Sequence, residues 1–198
     1  MPKLNSIVTI INTALEADVF NTSRFQGGRY FTIAELMKER QGDSIISKPC
    51  TIDNDGEGTS VMIDDTWPLQ IYHRVINLAY EQAPTDNFGD PVTTIKEIAT
   101  MALVFMSDRG LLQMRGEDLM ALIAVNMPAT LTTTQLNTLD LNSVQIYANG
   151  QAIIDNEIVY NREYQLQEFM LKPNSIMYSL NYTIETVYSK KCLEACSL

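Results

Sequence analysis

Basic side chains are scarce in this 198-residue chain: 14 Lys and Arg stand against 24 Asp and Glu, a formal charge of −10 and a pI near 4.5. Nucleic-acid binding draws its affinity from cations that displace phosphate counterions, so a chain this acidic is poorly equipped to grip DNA. It could still surround DNA without holding it. Histidine is nearly absent, with His73 alone, which excludes any two-histidine metal site or imidazole pair within one chain. The three cysteines, Cys50, Cys192 and Cys196, are too few and too uneven for a disulfide framework. Cys192 and Cys196 are four apart and so lack the spacing of a CxxC redox pair. No apolar run approaches the roughly 20 residues that span a bilayer, and no small-residue cleavage site follows the first helical pattern. A reducing cytoplasm is the expected place of folding.

What is present reads as one α+β domain over residues 1–198, a mainly antiparallel sheet with a long C-terminal strand packed against two to four helices. The clearest stretch is IMYSLNYTIETVY, Ile176 to Tyr188, whose even positions are Ile176, Tyr178, Leu180, Tyr182, Ile184, Thr186 and Tyr188. A strict period of two predicts a strand of about 43 Å with one buried face. Its tyrosines, Tyr178, Tyr182 and Tyr188, share that face and are candidate subunit-interface residues; plain core packing is the competing reading.

Earlier in the chain, Leu4, Ile7, Val8, Ile11, Ala14 and Leu15 form a helical stripe that predicts a helix over about 4–18. NTSRFQGGRYF reads as a loop; its Gly27-Gly28 lacks the Lys-Ser/Thr of a phosphate loop. Thr32 and Glu35 have the spacing of a capping box, which predicts a short helix ending at Gly42. IISKPCTI and TSVMIDD flank DNDGEG and predict a hairpin, and LQIYHRVINLAY is assigned to a strand on its β-branched and aromatic content. Residues 83–91 form an extended loop. Thr94 and Glu97 repeat the capping-box pattern and predict a helix, followed by MALVFM, an apolar run that periodicity does not assign. EDLMALIAV predicts a helix ending near Asn126, and ATLTTTQLNT reads as a polar connector. SVQIYANGQAII predicts a hairpin turning at Asn149-Gly150, with EIVY as a further strand. The tail 189–198 reads as frayed.

Two site hypotheses come from the residues. Asp53, Asp55, Glu57 and Asp64, with Gly58 at position 6, resemble the oxygen-ligand spacing of a calcium loop, although Ser60 stands where an aliphatic is usual and position 12 is Asp. A solvated hairpin turn explains the same residues. His73 could act as a lone general base, against a structural histidine in a packed element. These two groups carry the alternative reading of the chain as a soluble enzyme or a small-ligand or calcium-binding module.

LQIYHRVINLAYEQ, MALVFMSDRGLLQMRGEDLMALIAVNMPATL and VYNREYQLQEFMLKPNSIMYSLNYTIETVY resemble stretches of the small α+β proteins that form head-to-tail connector and tail-terminator rings in tailed bacteriophages, including neck rings of crAss-like phages. The resemblance implies a virion protein assembled in the host cytoplasm as a homo-oligomeric ring of about six or twelve subunits. Its partners would be neighbouring portal, connector or tail proteins. DNA would pass through the ring without tight binding, and neither catalysis, cofactor nor membrane is implied.

Overall fold

The computed structural model describes residues 2–52, 58–61, 68–82, 94–164 and 174–189. Residues 83–91, expected as a loop, residues 53–57 of the expected acidic turn and the residues beyond Ser189 lie outside these. The chain opens with helix α1 (Pro2–Leu15), which runs into a π-helical turn at Glu16–Phe20. Strands β1 (Arg29–Gln41), β2 (Ser44–Ile52), β3 (Gly58–Ser60), β4 (Gln70–Gln82) and β5 (Thr94–Asp108) follow. Helices α2 (Arg109–Leu112), α3 (Gly116–Asn126) and α4 (Thr133–Leu139) precede β6 (Ser143–Ile153), α5 (Asn156–Glu163) and β7 (Ser175–Ser189). The fold is α+β, as the sequence predicts.

The described strands form one seven-stranded sheet in the order β3-β2-β1-β4-β5-β7-β6. Every neighbouring pair is antiparallel except β1 and β4, which run parallel over Arg29, Tyr30 and Ile33. The expected long strand is β7, and it pairs with β5 at every position from Thr94↔Ser189 to Asp108↔Ser175. Both strands have 15 residues, so this ladder is about 50 Å long at the usual rise of about 3.3 Å per residue.

Two apolar layers explain why MALVFM shows no period. Met101, Leu103 and Phe105 point to one face, against α1 (Leu4, Ile7, Ile11), α3 (Leu119, Ile123) and the even face of β7. Ala102, Val104 and Met106 point to the other, against Val159, Tyr160 and Tyr164 of the α5 region. A strand buried on both sides has no polar face to mark its repeat.

Five expectations are corrected. Thr32–Gln41 belongs to β1 and is not a helix: eight positions from Ala34↔Thr51 to Gln41↔Ser44 pair with β2, and Gly42, at φ +62°, begins a two-residue hairpin loop. The Thr94–Glu97 segment is likewise strand, held between β4 and β7. In both, pairing with distant residues outweighs a local capping pattern. Asn149-Gly150 does not reverse the chain. Ala148 faces Tyr182 and Ala152 faces Leu180, so four-residue spacing on β6 meets two-residue spacing on β7, and the dipeptide lies in a bulge. EIVY belongs to α5, where Asp155 accepts hydrogen bonds from the backbone N–H of Glu157 and Ile158 at 2.9 and 3.1 Å. The polar connector contains α4, opened by a reciprocal capping box between Thr132 and Gln135.

The start of α3 rests directly on the core. A Cβ at Gly116 would collide with the Tyr178 ring and come within 3.0 Å of Ile176 Cδ1; Tyr178 also packs edge-on against Phe105, with centroids 5.8 Å apart. Gly116→Ala should therefore destabilise the fold by about 1–3 kcal/mol through overpacking, read as a lower urea midpoint with an unchanged slope.

Candidate functional site

The sole histidine lies at the centre of a polar network and not at a surface. His73 on β4 is fully buried. Its Nδ1 is 2.7 Å from the Tyr182 hydroxyl on β7, and its Nε2 is 2.8 Å from Asn12 Oδ1 on α1. Asn12 Nδ2 donates in turn to the Phe31 carbonyl on β1, at 3.0 Å. This last bond turns Oδ1 toward the ring, so Nε2 carries the proton and Nδ1 accepts from Tyr182. One neutral imidazole thus ties α1 and β1 to β4 and β7. Burial holds its pKa down, at about 3, and pushes the Tyr182 hydroxyl well above its ordinary value. Both ring nitrogens are occupied, so His73 presents neither to a substrate. It is the structural histidine of the two readings.

A second buried polar centre fixes α5 to the opposite face. Glu163 is fully buried and accepts from Arg74 Nη1 at 2.8 Å and from Arg162 Nε at 2.6 Å. Tyr72 lies beside it, its hydroxyl pushed well above the usual range first by burial and then by the Glu163 charge. Nearby, the Tyr164 hydroxyl donates to the Val61 carbonyl at 2.7 Å. No signal in the sequence marked Glu163 or Arg74, because their meeting joins residues 89 positions apart.

The tyrosine face expected at a subunit interface is the core face. Tyr178, Tyr182 and Tyr188 are exposed by only 4%, 0% and 6%, and Lys3 Nζ lies 5.9 Å above the Tyr188 ring centroid. Their side chains therefore offer a partner almost no area, and any contact between subunits must use other groups. Asp53, Asp55, Glu57 and Asp64 lie outside the described residues, and only the flanking β2–β3 pairing, Ile52↔Gly58, is seen. Among the described residues no cluster of His, Cys, Asp and Glu could hold a metal ion. Cys50 is buried as a free thiol, and no described helix is long and apolar enough to cross a membrane.

Exposed apolar groups on the described strands lie at Ile76 and Tyr80 on the central strand β4 and at the two ends of the sheet. Beyond Ile33, β1 leaves β4 and continues with β2 as a ribbon, on which Met37 and Ile45 are exposed by 43% and 70%. At the far edge, β6 exposes Tyr147, and Ile154 just beyond it is also open. The first half of β6 is covered on its outer side by residues 129–131, through Ile146 N–H to the Ala129 carbonyl at 2.8 Å and a bridge between Thr130 and Gln145.

No protein-family model matches the chain, and no curated protein sequence matches it either.

Two measurements test the buried centres. Folded His73 stays neutral down to about pH 3, whereas in the unfolded chain it titrates near 6.5. Between these values the unfolded state binds more protons, so stability is complete above about pH 6.5 and falls as the pH drops toward 3. Denaturation midpoints across that range should show this decline, and His73→Gln, though less stable at neutral pH, should lose that part of it. Glu163→Gln should cost about 3 kcal/mol or more in chemical denaturation, because two buried or half-buried guanidinium groups lose their counter-charge.

Proposed function

We propose that this chain is a structural subunit of an oligomeric ring in the head-to-tail neck of a tailed virus particle, a connector or tail terminator stacked on neighbouring rings around the DNA channel. The observation that carries the reading is the β1–β2 ribbon. Its distal half pairs with no other described strand and exposes Met37 and Ile45. A ribbon that adds little to its own core is suited to reaching another subunit, since exposed apolar side chains gain their burial only on assembly.

Other features support the same role. The polar residues around His73 hydrogen-bond one another, and Glu163 accepts from Arg74 and Arg162, so both centres tie helices to the sheet inside the protein. The net charge of −10 lets a duplex slide past without deep binding wells on the wall. The resemblance of the β4, β5–α3 and β7 sequences to connector and terminator proteins fits an α+β sheet of this kind.

Electron microscopy of the purified protein over a range of concentrations tests the proposal. Closed annuli of six or twelve copies are the expected result. A monomer at every concentration, missing from purified tailed particles, would overturn it.

A further inference from the structure

We infer that the subunits join head to tail, with the tip of the β1–β2 ribbon of one copy adding to the open edge of β6 on the next. The inference rests on the ring reading above and specifies its contact.

The edge supplies the first argument. Residues 143–154, SVQIYANGQAII, contain no Asp, Glu, Lys or Arg and no Pro. Edge strands that must stay unpaired are usually guarded by charge, proline or a cover. Among the described residues the cover reaches only residues 144–146. From Tyr147 onward no described residue pairs with the outer side, and Tyr147, Ala148, Gln151 and Ala152 are exposed. Ile146 donates its N–H outward to Ala129, so by alternation Ala148 also directs its backbone polar groups outward. These are groups that an added strand would pair.

Charge identifies the occupant. Two copies of a chain at −10 repel each other, so a contact between them needs surfaces without net negative charge. The β6 edge has no charged residue. The ribbon, residues 35–48, carries Glu35, Glu39 and Asp43 against Lys38, Arg40 and Lys48, a balance of zero, with Glu39 and Lys48 already paired to each other. Its outer side is also suited to pairing: Pro49 accepts from Val61 on that side, and Ile45, four residues earlier, shares the orientation.

Position decides the symmetry. The ribbon and β6 belong to opposite parts of one sheet, separated by β4, β5 and β7. A contact that uses both is heterologous, the type that generates a ring when the rotation it imposes closes, as the ring reading requires.

Sedimentation velocity on the full chain tests this with two complementary lesions. Ile45→Asp places a charge on the ribbon tip, while Ala148→Pro removes the outward N–H from the edge; Tyr147→Glu serves as a second edge variant should the proline disturb folding. Each variant alone should sediment as a monomer at concentrations where the unmodified protein assembles, with thermal unfolding equal to that of the unmodified protein diluted to its monomer. An equimolar mixture of a ribbon variant and an edge variant should yield a dimer, one of each, because a single intact contact remains. Assembly of Ile45→Asp and Tyr147→Glu into normal annuli would overturn the contact while leaving the ring standing. A mixture that stays monomeric would overturn head-to-tail pairing, and an unmodified protein that neither associates nor occurs in purified tailed particles would overturn both the contact and the ring.

Discussion

The uninterrupted pairing of β5 with β7 is the constraint on which the rest of the structure depends. Fifteen consecutive residue pairs without a register break fix which side of each strand meets α1 and α3 and which meets α5, because a slip by one residue would exchange the faces. Met101, Leu103 and Phe105 then meet Tyr182, Leu180 and Tyr178 on one side, while Ala102 and Val104 meet Asn181 and Ser179 on the other. Both apolar layers follow from that registration. So does the lateral placement of Tyr182 opposite the His73 ring.

The two buried polar centres have a common logic. Each joins an element covering the sheet to a strand within it, and each uses groups that are costly to leave unpaired in a dry interior. Asn12 anchors α1 through His73, and Glu163 anchors α5 through Arg74. Apolar packing would hold these helices against the sheet at many nearly equivalent positions. The polar bonds select one. This division leaves the ribbon, the outer edge of β6 and the Ile76 and Tyr80 side chains of β4 as the exposed groups of the described strands that add little to the core.

Much of the sheet was legible from alternation and composition, and the helices less so. IMYSLNYTIETVY shows its period because one face meets the core and the other is partly wet, and QIYHRVINLAY reads as a strand on β-branched and aromatic content. Of the Thr-x-x-Glu/Gln patterns at Thr32, Thr94 and Thr132, only the last caps a helix. The first two segments have strand partners distant in sequence, which no local pattern reveals; the third has none among the described strands. Asn-Gly at 149–150 misleads for a related reason, since a dipeptide that favours positive φ serves a bulge as well as a turn. The site was less legible still. Single histidine and tyrosine positions were visible, but the bonds joining Asn12, His73 and Tyr182 link residues 61 and 109 positions apart, and the ribbon was hidden inside an expected helix.

The place of β7 within the sheet also bears on how the chain reaches its native state during synthesis. β6 precedes β7 in sequence but pairs with it as the outermost strand, and β5 waits for the same partner. Until residues 175–189 leave the ribosome, neither strand can complete its ladder. Closure of the sheet therefore comes late and joins parts of the chain far apart in sequence, the topology that slows folding and prolongs the exposure of sticky intermediates.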